Sequence, residues 1–477
     1  MTRAQILWTD TEAEQATGGH STRPWQASGV SIDSRSLRPG DLFIAIRGPR
    51  FDAHDFLDEA FDAGAACALV NRIPRDHPAD RPLLIVEDTY SGLKKLSRAA
   101  RQRGDARCVA ITGSVGKTST KEALAAALRP SGKVAATVGN LNNLWGVPLS
   151  LARMKRDCKF GVFEIGMNHA GEITPLARMV RPNVAIITTV EAVHLEFFDS
   201  IEGIAQAKAE IFDGLAPGGT AVLNRDNDFF DFLSGEARAR GIEHIVSFGA
   251  ADNADVRLTE YNPGNPTQIC ADVMGERCAF SISLPGRHSA LNAMAVLAAV
   301  KVLGADLAGA CDALGNMDAP AGRGKRLHIA LPNGGDLLLI DDSYNASPAS
   351  MRAAFKVLEQ TAPGPDGRRI AVLGDMAELG RGTTRAHAEL ADDLLAANVD
   401  LVLTTGDNMM HLDDALPRPK RGGHTAAAAD LATLLMRDLR DGDVVLVKGS
   451  NSQNLGLIVR ALRDMAQGPA HSAANGT

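Results

Sequence analysis

Aromatic residues are scarce in this chain of 477 residues, at 4% of the total. That scarcity argues against an aromatic-rich β-sandwich and for an α/β core of alanine, valine and leucine. The six cysteines (Cys67, Cys108, Cys158, Cys270, Cys278, Cys311) include no CxxC pair and form no Cys/His cluster at metal-ligand spacing. They read as buried thiols in a reducing compartment rather than as a disulfide framework or a zinc site. No stretch approaches the roughly 20 apolar residues of a membrane span. The opening residues, MTRAQILWTDTEAEQ, are acidic and lack the uninterrupted apolar run of a secretion signal. A basic excess is also missing, the formal charge being -7, so nothing draws the chain to nucleic acid or an anionic membrane. These absences lead us to expect a cytoplasmic protein in which any polyanionic ligand is held by a local glycine-rich or basic site.

The length exceeds what one hydrophobic core supports, about 250 to 300 residues, and predicts two or three domains. To about residue 85, short strand-like runs (Leu42 to Ile46, Ala68 to Val70, Leu83 to Val86) surround a helical stretch from His54 to Ala63, a small α/β unit. A polar, basic helix from Ser91 to Arg103 follows. From Cys108 the runs CVAIT, KVAATV, FGVFEI, NVAIITTV, TAVLN and HIVSFG alternate with helical segments, the pattern of a parallel sheet covered on both faces. Between Val256 and Leu284 the pattern changes to VRLTEY, TQICADV and RCAFSISL, which reads as antiparallel hairpins appended to that sheet, closed by a helix from Ala290 to Leu303. The segment Ala319 to Gly324 reads as a linker. Beyond it LLLID, RIAVLGD, LVLTT and VVLVKGS, each followed by a helical pattern, predict a Rossmann-like unit. The expected division is 1–85, 86–318 and 319–467, with a small, polar, disordered tail over 468–477.

The strongest motif runs from Cys108 to Thr120: a buried strand, the turn Gly113-Ser114-Val115-Gly116, and a helix opening at Lys117-Thr118-Ser119. Glycines allow backbone amides to close around phosphate oxygens, and the helix start adds unpaired donors and its dipole. Lys117 would neutralise the terminal phosphates and the Thr118 hydroxyl would ligate magnesium. Only two residues separate Gly113 from Gly116, shorter than the general phosphate loop, yet the required strand and helix are present in order. These residues predict a nucleoside triphosphate site.

Ligands of parallel sheets sit at the carboxyl ends of the strands. Glu164 ends FGVFEI and His194 follows NVAIITTV, so both are expected to face the phosphates. In SIEGIAQAKAEIFDGL the apolar positions Ile201, Ile204 and Ile211 recur at helical spacing, and Lys208 falls on the same face. A lysine there either snorkels or is buried as a neutral amine, able to combine with carbon dioxide into an anionic carbamate that holds a second cation.

Thr112-Gly-Ser-Val-Gly-Lys-Thr-Ser119 resembles the short phosphate loop, TG(S/T)xGKT(S/T), of the Mur ligases. The resemblance extends from about Ser31 to Leu462 and implies ATP as the nucleotide. It makes Glu164 and His194 magnesium ligands beside Thr118, and Lys208 a carbamylated ligand of a second ion. GRHSALNAMAVLAAV matches the segment whose asparagine, here Asn292, faces adenine. APAGRGKRLH offers Arg323, or alternatively Arg326, to the phosphates. DDSYNASPASM offers Asp342, with Tyr344 and Asn345 nearby, to ribose or phosphate. In the first unit Ser31-Ile-Asp-Ser-Arg35 and GPRFDAHDF are similar to the segments that hold the UDP-sugar, making Ser34, Arg35 and His54 candidates. In GNLNNLWGVPLSL, Asn142 and Asn143 would line the acceptor cleft.

EIGMNHAGEI, DDSYNASP and AVLGDMAELG resemble the branch of that family that adds D-alanyl-D-alanine to UDP-N-acetylmuramoyl-tripeptide, in a monomer with no nucleic-acid partner and no membrane insertion. One departure falls in the unit expected to receive the dipeptide: that branch usually carries KGSR and a methionine-rich turn, where this chain reads Lys448-Gly-Ser-Asn-Ser-Gln-Asn454. The implied reaction is phosphorylation of the substrate carboxylate by ATP, then attack of the dipeptide amine on the acyl phosphate. The rival readings are a sister ligase that adds a single amino acid, or glutamate to folate, and a regulatory NTPase that joins nothing.

Overall fold

The computed structural model describes residues 5–75, 78–193, 195–332 and 334–467. His194 and the tail from 468, both singled out above, lie outside them. Among the described residues three large sheets follow one another along the chain, each crossed by helices.

The first has five strands in the order His20–Ser21, Leu83–Ile85, Cys67–Val70, Asp41–Ile44 and Gly29–Ser31, parallel except at the first pair. Its expected helical stretch is present, opening as a 3-10 turn Ala53–Phe56 that runs into the helix Leu57–Asp62. The basic helix Thr89–Gln102 lends Leu93, Leu96 and Ala100 to the core on one face of this sheet. The expected boundary at 85 therefore precedes a helix that still packs on the first sheet. Leu149 and Ala152, from the helix Gly146–Ala152, share that core. Trp8 Nε1 donates to the Ala152 carbonyl (3.0 Å), and the Arg103 guanidinium lies 4.1 Å from the Trp8 ring centre while donating to the carbonyls of Leu7 and Met154. Burial lowers the Arg103 pKa to about 10.

The second sheet has nine strands, and its parallel body runs Val134–Ala136, Phe160–Glu164, Arg107–Thr112, Val184–Ile187, Thr220–Asn224 and His244–Gly249. Alternate residues of the same strands serve opposite faces. Val109, Ile111, Val162, Ile186 and Val222 pack beneath helices Lys117–Leu128 and Arg287–Val302. Cys108, Ala110, Phe163, Ala185 and Leu223 pack beneath Ile173–Val180 and Ile201–Ala209. This two-sided burial is why the strands read as unbroken apolar runs. The expected hairpins are present as Val256–Asn262, Thr267–Val273 and Glu276–Ile282, paired antiparallel.

The third sheet has six strands in the order Lys325–Ala330, Asp336–Asp342, Val444–Lys448, Arg369–Gly374, Leu401–Thr405 and Arg421–Thr425. All neighbours are parallel except the first pair. The two edge strands were not expected from sequence: KRLHIA opens with two charges, and RGGHT carries two glycines with no apolar alternation.

Trp8 ties the first residues to the far end of the Gly146–Ala152 helix. Trp8→Ala should destabilise the protein by about 3–5 kcal/mol, read as a loss of urea resistance in the earliest unfolding transition.

Candidate active site

At both glycines of the phosphate loop a positive φ and a close neighbour disfavour any other residue. At Gly113 (φ +149°) a Cβ would lie 1.9 Å from Thr188 Oγ1, and at Gly116 (φ +85°) it would lie 2.8 Å from Asn292 Nδ2. The loop is thus wedged between the end of strand Val184–Ile187 and the helix Arg287–Val302. Hydrogen bonds hold it there: Ser114 N–H donates to the Thr189 carbonyl (2.9 Å), Ser114 Oγ to the Glu191 carbonyl (3.1 Å) and Thr188 Oγ1 to the Val115 carbonyl (2.6 Å). Gly116 gives the helix Lys117–Leu128 no side-chain cap, which leaves first-turn amides available to an anion. Lys117 Nζ folds back onto the Gly113 (2.5 Å) and Ser114 (3.3 Å) carbonyls. Burial lowers its pKa, Glu164 opposes that shift, and Arg323 adds to it.

The loop faces a cleft of about 780 Å³ between the second and third sheets. Of the residues singled out in the sequence, Ser114 through Ser119, Asn142, Glu164, Asn292, Arg323, Asp342, Tyr344 and Asn345 all line it. Glu164 is buried at the carboxyl end of its strand; its Oε1 accepts from Asn142 Nδ2 (2.7 Å), while Oε2 has no partner. A buried carboxylate oxygen without a donor is costly unless a cation or donor joins it. The residues therefore fit a magnesium ion, which is ordinarily held by one or two protein oxygens together with phosphate oxygens. Among the described residues no group of three or more His, Cys, Asp or Glu converges, so phosphate would supply much of the coordination.

Across the cleft, Asp342 and Lys448 end neighbouring parallel strands in register. Lys448 Nζ donates to Asp342 Oδ2 (2.6 Å) and to the Asn345 carbonyl (2.9 Å). The Arg323 guanidinium stacks 4.1 Å over the Tyr344 ring, and Gly322, whose Cβ would meet Tyr344, makes that approach possible. Arg326 is placed elsewhere, donating to the Gly264 carbonyl (2.9 Å), so of the two arginines left open by sequence only Arg323 reaches the cleft. His288 also lines it; burial lowers its pKa, Asp342 opposes and Lys448 adds to the shift. Lys448 and His288 were not singled out as site residues. The available signal was a lysine closing the apolar run VVLV, at the same strand end that recommended Glu164.

Other expectations are met differently. Lys208 is buried on the helix Ile201–Ala209 without lining the cleft; burial pushes its pKa well down, and the Lys117 charge pushes it further. Asn143 is turned to the start of the helix Gly146–Ala152, its Oδ1 accepting from the amides of Trp145 (3.1 Å) and Gly146 (2.9 Å). Ser34, Arg35 and His54 sit apart from the cleft, in the first unit. Ser34 Oγ donates to Glu59 (3.3 Å), and exposed Arg35 pairs with Asp33 at 2.7 Å. His54 is buried: Nε2 accepts from the Asn71 amide (3.3 Å), which leaves the proton on Nδ1 to reach Asp52 (2.6 Å). With both nitrogens engaged inside the protein, this ring is not offered to a ligand. Burial raises the Asp52 pKa, but bonds from His54 and Arg72 outweigh it and hold the carboxyl well below its usual range.

A phosphate loop at the head of one parallel sheet, facing the carboxyl edge of a second across a shared cleft, defines a multi-unit α/β nucleotide enzyme. The chain belongs to the Mur ligase family. It matches the Mur ligase middle domain over residues 111–300, the glutamate ligase domain over 325–451 and the family's catalytic domain over 26–101. It is 39% identical over 439 residues to the UDP-N-acetylmuramoyl-tripeptide--D-alanyl-D-alanine ligase of Escherichia coli K12, covering 91% of this chain and 93% of that one. The enzyme of the same name from Rickettsia prowazekii is 33% identical, covering 95% and 99%. Among solved structures, MurF from Acinetobacter baumannii superposes with a TM-score of 0.83 at 30% identity (96% and 99% covered). MurF ligase from Thermotoga maritima in complex with ADP gives 0.77 at 28% (92% and 98% covered).

Gly113→Ala would force a methyl group into Thr188. Its affinity for ADP should fall at least about tenfold, the equivalent of 1.4 kcal/mol of misplaced loop, as read by calorimetric titration of the folded variant.

Proposed function

We propose that this enzyme is the ATP-dependent ligase that joins D-alanyl-D-alanine to UDP-N-acetylmuramoyl-tripeptide in peptidoglycan precursor synthesis, acting as a cytoplasmic monomer. The observation that carries the reading is the single cleft in which the uncapped phosphate loop, the unpartnered Glu164 oxygen and the Arg323–Tyr344 and Asp342–Lys448 pairs converge. The names of its relatives supply the substrates. No helix among the described residues is long and apolar enough to cross a membrane.

In this reading the loop amides and Lys117 bind the triphosphate, Asn292 meets the adenine, and Arg323 with Asp342, Tyr344 and Asn345 closes over ribose and phosphate from the third unit, moving about residues 319–324. Thr118, Glu164 and His194 would hold one magnesium ion and carbamylated Lys208 a second, and the chemistry such ions would supply is neutralisation of charge on the transferring phosphoryl group. Asn142 steers the tripeptide carboxylate onto the γ-phosphate, and Ser34 and Arg35 receive the UDP end. His54 and Asn143 brace those two segments. The carboxylate oxygen attacks phosphorus and ADP leaves; the dipeptide amine then attacks the acyl carbon, phosphate leaves and a proton is released. Lys117 supplies fixed positive charge to the first step, so catalysis is chiefly positioning and electrostatics.

Two outcomes follow. Phosphate release from ATP and Mg2+ should require both UDP-N-acetylmuramoyl-tripeptide and D-alanyl-D-alanine, with a product whose mass includes the dipeptide. Joining of a single amino acid instead would identify a sister ligase, and release with neither substrate a plain NTPase. Burial lowers the Lys208 pKa and so favours the neutral amine that reacts with carbon dioxide; 13C-bicarbonate should therefore give a carbamate resonance that Lys208→Ala abolishes, and a wild-type spectrum without it would contradict that assignment.

A further inference from the structure

One lysine beside the phosphate loop belongs to no part of the mechanism above, yet it is the most completely buried charge near the site. Lys121 lies four residues after Lys117 on the same helix, with no exposed surface. A buried ammonium needs acceptors for its donors. Lys121 Nζ finds the carbonyls of Thr137 (2.8 Å) and Gly139 (3.4 Å) and the carboxylate of its neighbour Glu122. Both carbonyls belong to the strap that leaves strand Val134–Ala136 and crosses to the cleft.

Besides Lys121, the strap is held by the Thr137 amide on the Val162 carbonyl (3.0 Å) and by Leu141 against the core of the first unit, and the stretch between these anchors is open. Val138 is 65% exposed, Gly139 adopts a left-handed φ of +57° with nothing within reach of a Cβ, and Asn140 is exposed. What the strap carries is specific. Thr137 is buried, and its Oγ1 accepts from the Glu164 amide (3.2 Å). Asn142 donates its side-chain amide to Glu164 Oε1 (2.7 Å), and its carbonyl accepts from the Gly166 amide (2.8 Å). One end of the strap thus fixes the Glu164 backbone and the other fixes its carboxylate, leaving Oε2 aimed without a partner.

We infer that Lys121 is a positioning residue for the cation site: from the phosphate-loop helix it pins the 137–142 strap, and the strap orients the Glu164 carboxylate toward a metal bound with the triphosphate. The chain of contacts is Lys121 to the Thr137 and Gly139 carbonyls, then Thr137 and Asn142 to Glu164. Because Lys117, Thr118 and Lys121 share one helix, the phosphates and the carboxylate that completes their cation are referenced to the same rigid element. The inference rests on the proposed role of Glu164 as a magnesium ligand.

The test is calorimetric titration of Mg2+ into protein saturated with β,γ-methylene-ATP, alongside analogue affinity without metal. Lys121→Met, which keeps the side-chain length and removes the donors, should weaken Mg2+ binding by about 10- to 100-fold, the usual effect of losing an outer-shell partner. Its metal-free analogue affinity should stay within about twofold of wild type, since the loop contacts remain. Asn142→Ala should give a similar loss, and the double variant no more than either alone. Thr137→Val, which keeps Lys121 and cuts one link to Glu164, should shift Mg2+ affinity in the same direction. Unchanged Mg2+ affinity in folded Lys121→Met, or losses that multiply in the double variant, would overturn the inference. If Lys121→Met does not fold, Lys121→Gln is read in its place, and failure of both to fold together with an unshifted Thr137→Val also overturns it. Wild-type protein that takes up no Mg2+ beside the analogue would instead remove the role assigned to Glu164.

Discussion

The structure depends on how closely the phosphate loop is enclosed. Its two glycines sit where a Cβ would strike Thr188 on one side and meet the Asn292 amide on the other, in backbone conformations of positive φ that suit glycine, between the neighbouring strand end and the long apolar helix. The groups that face the cleft from the second unit are arranged around that wedge. Strand Arg107–Thr112 lies at the centre of the parallel body, between the strands that end at Glu164 and at Ile187, and the helix that follows the loop carries Lys117, Thr118 and Lys121. A shift of an ångström there would move the groups proposed to bind phosphate, metal and carboxylate together, because they share a sheet edge and a helix.

Electrostatics add a second constraint. Burial pushes the Lys117 and Lys208 amines toward their neutral forms, Lys117 adding to the shift of Lys208 and Arg323 to that of Lys117, against which Glu164 works. The folded protein bears this cost with one carboxylate oxygen also unsatisfied. Such a cluster is unfavourable alone and favourable around a polyanion with its cation, the usual exchange of stability for function at a site. On the opposite wall the Asp342–Lys448 pair is internally neutral and the Arg323–Tyr344 stack presents a flat cationic surface, suited to a nucleotide held from two sides.

Much of this was legible in the sequence because two-sided burial writes itself as apolar runs, and strand ends mark the ligand edge. The parallel strands, the appended hairpins and the loop from Gly113 to Ser119 followed from that pattern. Glu164 followed from its place at a strand end, and the cleft side of Asn292, Arg323 and Asp342 from resemblance to a known family. What was not legible depended on partners distant in the chain. Arg326 could be separated from Arg323 only by its bond to the Gly264 carbonyl. His54, a candidate for the UDP-sugar by resemblance, has both nitrogens engaged by Asp52 and Asn71, and Asn143 is committed to a helix start beside the Asn142 that reaches Glu164. The edge strand Arg421–Thr425 is formed by backbone pairing alone in a glycine-rich segment that carries no apolar period. Lys121 reads as one more polar residue on a short helix, because the carbonyls that bury it lie sixteen and eighteen residues onward.

The central claim is that the cleft activates a carboxylate by transferring phosphate to it. The most direct test labels the terminal carboxylate of the UDP-N-acetylmuramoyl-tripeptide with 18O and follows the label through one turnover with ATP, Mg2+ and D-alanyl-D-alanine. The account predicts that one 18O atom per amide bond formed appears in the released inorganic phosphate. Unlabelled phosphate, released while both carboxylate oxygens keep their label, would contradict it.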